Sequence, residues 1–128
     1  MAYAINGKKV SKPWHTVITH YQRTTGRKLP LNSGRRTLAE QWALYRLYKS
    51  GRGNLAAYPT PSAPHINFGR ANHALDIEPN GIFHFISWLY EHGVAATRPV
   101  PGEPWHLQAP RKHLLALAKK IERKRRGK

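Results

Sequence analysis

The apolar residues of this chain occur in short runs that glycine and proline interrupt, and this punctuation constrains the fold most. The 128 residues include 10 Gly and 10 Pro. The longest apolar stretches fall far short of the roughly 20 residues that a membrane-spanning helix needs. Runs with helical spacing alternate with short extended segments. We therefore expect a single α+β domain in which helices flank a small antiparallel sheet.

Helical periodicity, together with start and stop signals, predicts four helices. Ser11 is a suitable N-cap for a helix over 11–25, and Gly26 a suitable end. Thr37 and Glu40 form a capping box at the start of the second helix. Two further helices are expected over 81–92 and from Pro110 onward.

Strand character is predicted for short segments between these helices. They are LPLNSG at 29–34, HALDI at 73–77, residues 94–97, and a segment that follows the turn PVPGEPWHL. Residues 51–72 show no clear period, and a loop of that length in a small domain is usually functional or disordered.

The net charge is the strongest compositional signal. Lys and Arg number 22 against 6 Asp and Glu, so the formal charge is +16. Such a charge predicts a polyanionic partner, namely nucleic acid, an anionic membrane or an anionic cell wall. Residues 111–128 hold nine Lys or Arg and one Glu, a net +8. This segment is either a solubilising helix end or an attachment to anionic wall polymers or phospholipid.

Several classes of protein are excluded or disfavoured. Without Cys there is no disulfide scaffold, thiolate zinc site or cysteine nucleophile, so any zinc must use His and carboxylate ligands. No zinc finger, helix-turn-helix or RNP-type strand is recognisable, so we expect no specific nucleic-acid binding. The N-terminal segment lacks an apolar h-region, which predicts synthesis in the cytoplasm without a signal peptide.

Two of the six acidic residues lie close to histidine in Pro/Gly-punctuated sequence. Asp76 follows His65 by eleven positions, and Glu103 precedes His106 by three. A zinc hydrolase requires three protein ligands, an open position for water, and a carboxylate that serves as general base. Pro104 favours a turn that brings Glu103 and His106 together.

Three segments occur in a defined order, SGRRTLAEQ at 33–41, the segment 62–76, and EPWH at 103–106. They resemble the landmarks of the VanY-like D-alanyl-D-alanine carboxypeptidases, zinc peptidases related to lysostaphin and the Hedgehog signalling domain. The family landmarks are SGYRS with a downstream Gln, SxHxxGxAxD, and EPWH. The resemblance covers residues 31–108, and its specificity lies in the order and spacing of the motifs. It implies a Hedgehog-like fold over 1–110, with 111–128 as a basic helix and tail of the same domain.

The resemblance also implies roles for individual residues. Asp76 matches the carboxylate ligand of AxD, and His106 matches the histidine ligand of EPWH. Glu103 matches the general base, and Trp105 packs beside the metal against the substrate. Arg36 matches the arginine of SGYRS, which binds substrate and stabilises the oxyanion.

The middle motif departs from the family pattern. The family places seven residues from His to Asp, whereas His65 and Asp76 are eleven apart and position 69 is Gly. Either the loop has gained four residues and His65 remains the third ligand, or His73 has taken that role. We favour His65, because Ser62 and its neighbouring prolines resemble the segment before the family's histidine. His73 and Ser62 are then substrate-binding residues.

The function implied is a zinc-dependent peptidoglycan peptidase of the phage endolysin type, which reaches the wall after holin-dependent release. Such a monomeric enzyme would act on the wall stem peptide as an endopeptidase, at L-Ala-D-Glu or a cross-link. Two alternatives remain: a D-Ala-D-Ala carboxypeptidase of the same family, and a non-catalytic basic module that binds nucleic acid or wall polymer.

Overall fold

The computed structural model of the chain describes residues 3–34, 38–53, 58, 72–99 and 101–126. The expected α+β class with a small antiparallel sheet is confirmed. In chain order the elements are β1 (Tyr3–Ile5), β2 (Lys8–Val10), α1 (Lys12–Thr25), β3 (Leu31–Ser33), α2 (Leu38–Lys49), β4 (Asn72–Ile77), α3 (Pro79–Glu91), β5 (His106–Pro110) and α4 (Arg111–Arg126).

The first two strands form a hairpin that the sequence analysis missed. β1 pairs antiparallel with β2, and Asn6 and Gly7 between them both have positive φ angles, 51° and 81°. Two consecutive positive φ angles are the geometry of a type I′ turn, for which Asn-Gly is the strongest sequence signal. The signal was therefore present in the sequence, between two very short strands.

The second sheet positions the candidate site. Its strand order is β3-β4-β5, all antiparallel, with β4 in the middle. The register of β4 against β5 sets Asp76 opposite His106. A register shift in β3 sets Ser33 opposite the same Asp76. The strand expected over 94–97 is reduced to one bridge, from Thr97 to Gln108 of β5.

Alternation along β4 and β5 separates two faces of this sheet. Leu75 and Leu107 are fully buried on the face that carries the hydrophobic core. Asp76 and His106 lie on the opposite face, because successive side chains of a strand point to opposite sides. The helices α1, α3 and α4 pack into the core on the first of these faces. Their buried core residues are Trp14, Val17, Ile18, Tyr21, Ile82, Phe85, Trp88, Leu89, Leu114, Leu117, Ala118 and Ile121.

Local signals account for most of the helix boundaries. The Ser11 side chain accepts a hydrogen bond from the Trp14 amide at 3.3 Å, and Gly26 ends α1 in the left-handed region with φ 70°. Both features were predicted. The third helix begins at Pro79 rather than Gly81, as suits proline at the first helical position.

The helix α2 is the least buried of the four within the described residues. Over 39–50 only Gln41 is buried, and the rings of Trp42 and Tyr45 pack edge-on against Tyr58. The predicted capping residue Thr37 lies outside the described residues. None of the helices in the described part of the chain is long and apolar enough to span a membrane.

Candidate metal and catalytic site

Asp76 and His106 are brought together by the β4–β5 register. The residues are only 8% and 6% exposed, and Oδ1 of Asp76 lies 3.8 Å from Nδ1 of His106. Burying a carboxylate is costly unless it is paired or coordinates a metal. A carboxylate and an imidazole at this separation on two paired strands are suited to bind one metal ion between them.

Glu103 joins this pair through the turn that precedes β5. The His106 amide donates to the Glu103 carbonyl at 3.1 Å, which closes the turn, and Glu103 Oε1 lies 3.8 Å from His106 Nδ1. Next to this turn, the Ile77 amide donates to the Trp105 carbonyl at 2.9 Å. Nδ1 of His106 therefore faces two carboxylates, and the neighbouring residue Trp105 is partly buried.

The donor set can be tested against zinc geometry. Two ligands at about 2.0–2.2 Å from one tetrahedral zinc lie about 3.3–3.6 Å apart. The 3.8 Å between Asp76 Oδ1 and His106 Nδ1 needs a contraction of only a few tenths of an ångström. Within the described ranges no three His, Asp or Glu side chains are arranged so that together they could hold a metal ion. The spacing of Asp76 and His106 is thus compatible with two neighbouring positions of a zinc site.

Two polar side chains support this pair, and neither was predicted from the sequence as a site residue. Ser33 donates its hydroxyl proton to Asp76 Oδ2 at 2.8 Å, and Gln108 Oε1 lies 3.0 Å from His106 Nε2. Partners of this kind orient metal ligands. Gln108 stands two residues after His106, and because the strand begins at His106 rather than after PVPGEPWHL, alternation puts both side chains on one face.

His73 does not join this cluster. It is 3% exposed on the core face of β4, and its Nδ1 lies 3.4 Å from the hydroxyl of Ser11. A ligand or substrate contact shared with Asp76 and His106 would need the opposite face of the strand. The geometry therefore gives no support to the ligand or substrate-binding role predicted for His73.

The remaining predicted site residues are Arg36, Ser62 and His65, and all three lie outside the described residues.

A cleft of about 460 Å³ lies between the β1–β2 hairpin, the end of β3 and α2. Ser33 lines this cleft and also binds Asp76, so the two features adjoin. Lys9 crosses the cleft wall to Glu40 with an Nζ to Oε1 distance of 3.1 Å. Gly34 allows the hairpin to pack this closely, because a Cβ there would clash with the Lys9 carbonyl oxygen.

The other histidines of the described chain have partners away from this cluster. His84 binds the Tyr21 hydroxyl at 2.7 Å, and His113 accepts from the Ala95 amide at 3.2 Å. Burial lowers the pKa of His20, as do the nearby charges of His92, Arg23, Lys124 and Arg125. Burial also raises the pKa of Tyr21.

Comparisons of the chain with protein-family models, characterised proteins and solved structures find no match. A functional assignment therefore depends on the motifs and on the geometry of this cluster.

Proposed function

We propose that this chain is a zinc-dependent peptidoglycan peptidase of the phage endolysin type, with a Hedgehog/D-Ala-D-Ala-peptidase-like fold. The observation that carries the proposal is the convergence of Glu103 and Asp76 on Nδ1 of His106, each at 3.8 Å. A surface charge pair is an inadequate account, because Asp76 and His106 are buried.

The proposed ligands are His65, Asp76 and His106. When bound, zinc lowers the pKa of a water molecule toward about 7 and polarises a carbonyl group. Glu103 takes the proton of the attacking water and passes it to the leaving amine. Arg36 binds the substrate and stabilises the charge that develops on its carbonyl oxygen.

The cleft beside Ser33 suits the peptide substrate. It is open, and Lys8 and Lys9 lie on one wall opposite Glu40 and the apolar side chain of Leu44. Wall stem peptides carry free carboxylates and short apolar side chains, which match a wall of mixed charge and apolar surface. We propose endopeptidase cleavage at L-Ala-D-Glu or at a cross-link, with D-Ala-D-Ala carboxypeptidase activity as the alternative.

The helix α4 supports a second contact with the wall. Its last turn exposes Arg123, Lys124, Arg125 and Arg126, whereas its apolar side is buried in the core. An amphipathic helix enters a bilayer through its apolar face. Because that face of α4 is occupied, we propose attachment by charge alone, to anionic wall polymers rather than to phospholipid.

The test is hydrolysis of purified peptidoglycan followed by mass spectrometry of the fragments, whose new termini identify the bond. The Glu103→Ala variant should still fold and bind zinc. Its rate of hydrolysis should fall about 10²–10⁴-fold, which is the usual rate contribution of a general base. Glu91→Ala, at the exposed end of α3, is the matched control and should retain activity.

Unchanged lysis by Glu103→Ala would refute the mechanism. A wild-type chain that binds wall polymer or nucleic acid without hydrolysing either would instead favour the non-catalytic module.

A further inference from the structure

The side chain of Gln108 contacts the edge of the His106 ring that lies away from the two carboxylates. Its amide oxygen Oε1 lies 3.0 Å from Nε2 of His106, within hydrogen-bond range. The opposite ring nitrogen, Nδ1, is the one near Asp76 and Glu103. The two nitrogens of one imidazole thus have chemically different neighbours.

The backbone holds Gln108 rigidly enough for this contact to matter. On one side it pairs with Ala74 of β4, and on the other it exchanges two backbone hydrogen bonds with Thr97, both 2.9 Å. His106 and Gln108 are separated by two positions in β5, so their side chains share one face. The register of three neighbouring segments therefore fixes where the amide oxygen lies.

An amide oxygen can only accept a hydrogen bond. With this oxygen facing Nε2 of His106, a hydrogen bond forms in the neutral tautomer that carries its proton on Nε2, and that tautomer has a lone pair on Nδ1. Metal-binding histidines usually donate their second ring nitrogen to an oxygen, which fixes the tautomer and the ring orientation. The contact with Gln108 has this form, and the nitrogen it leaves available is the one that faces Asp76.

We infer that Gln108 is a positioning residue that holds His106 in its Nε2-protonated tautomer, with Nδ1 directed at the metal. The tautomer is inferred from the contact with Gln108, and the metal contact rests on the proposed function. Ser33 serves the other ligand in a parallel way through its bond to Asp76 Oδ2. Nδ1 of His106 is thus the nitrogen that binds the metal, and Gln108 is the side chain that selects it.

The first experiment reads the tautomer without metal or substrate. In ¹⁵N-labelled metal-free protein at a pH where the ring is neutral, two-bond ¹⁵N–¹H NMR spectra should show His106 protonated at Nε2. Gln108→Leu should shift the ring toward a mixture of tautomers, and Gln108→Glu should preserve the wild-type pattern because a carboxylate also accepts. A wild-type ring protonated at Nδ1 would overturn the inference.

The second experiment measures zinc affinity by competition with a chromogenic chelator. Gln108→Leu should weaken zinc binding about 10–100-fold, the usual effect of losing such a partner, and Gln108→Glu should restore it. Gln22→Leu is the matched control, since Gln22 also makes amide hydrogen bonds, to Leu29 and Asn6, but lies on α1.

The outcomes separate the two proposals. Equal zinc affinity in Gln108→Leu and wild type would overturn the positioning role while leaving the zinc site intact. A wild-type chain that binds no zinc would overturn the proposed function and the metal contact, and the NMR spectra would still decide the tautomer.

Discussion

The two faces of the β3-β4-β5 sheet differ in the polarity of their side chains and in what those side chains contact. On one face Leu75 and Leu107 have no exposed surface and pack into the core with three helices. On the other face Asp76 and His106 meet as a polar pair supported by Ser33. Adjacent residues in the chain thus belong to the core and to the proposed site, so substitutions on the two faces should have separable effects.

The largest expected effect on stability comes from the core face. Leu107→Ala removes a fully buried side chain, and such truncations cost about 2–5 kcal/mol because a cavity remains. The folded fraction should still bind zinc with near wild-type affinity. Chemical denaturation and a zinc titration check this pair of results. Loss of zinc binding in protein shown to be folded would contradict the separation of the faces.

The two histidines of the middle motif, His65 and His73, test whether stability and zinc binding can be separated. His73→Ala should destabilise the fold, by about 1–3 kcal/mol, because its ring is buried beside Ser11. Its zinc content should remain about one ion per chain. His65→Ala should show the reverse, with zinc lost and stability in the metal-free state retained. Full zinc content in His65→Ala would refute the ligand assignment.

Ser33→Ala tests the support of Asp76 from the edge strand. The change removes the hydroxyl that donates to Asp76 Oδ2 at 2.8 Å. Zinc affinity should fall about tenfold, at the lower end of what such partners contribute. Calorimetric titration with zinc measures it, and Ser50→Ala in the turn after α2 is the control. An unchanged affinity would limit Ser33 to a structural role.

Neutralising Arg123, Lys124, Arg125 and Arg126 together tests the proposed wall contact. Each exposed cation near an anionic surface contributes up to roughly 1 kcal/mol, so binding at low salt should weaken at least about tenfold. Sedimentation with purified walls measures binding, and a small soluble peptide reports intact activity. The control removes the same charge elsewhere, at the exposed residues Lys28, Arg46, Lys49 and Arg52.

Equal binding by the α4 variant and wild type would refute a role for that charge. An equal loss in both variants would assign binding to net charge rather than to α4. Stronger loss on phospholipid vesicles than on walls would favour the membrane as partner.

The smallest expected effect concerns His20 on the helical side of the molecule. Burial and neighbouring cations lower its pKa below the ordinary 6.5. The unfolded chain therefore takes up the proton first as the pH falls, so stability decreases in the window just below 6.5. His20→Gln should lose a little less stability between pH 7.5 and 5.5 than wild type. Melting temperatures at both values check this, and an identical pH dependence would contradict it.

The predictable parts of this fold were those encoded by local chemistry. Ser11 and Gly26 mark the ends of α1 through capping preferences that act within a few residues. The turn from Glu103 to His106 was likewise expected from Pro104. The β1–β2 hairpin carried a local signal too, but strands of three residues provide almost no periodicity to support it.

The contact from Ser33 to Asp76 could not be predicted, because it depends on the register between two strands. Ser33 meets Asp76 only through the shift in the β3–β4 pairing, 43 positions away in sequence. The core position of His73, by contrast, follows from alternation along HALDI, which puts His73 on the face of Leu75 and Ile77 and opposite Asp76. A single residue of slippage would have exchanged the roles of His73 and Ala74.

The location of α4 has a consequence for orientation. Its apolar residues lie in the core beneath one face of the sheet, and Asp76 and His106 lie on the other face. The helix that carries the basic cluster and the Asp76–His106 pair thus lie on opposite sides of the sheet. Under the proposed function, attachment through α4 and cleavage at the pair would not have to involve the same wall polymer.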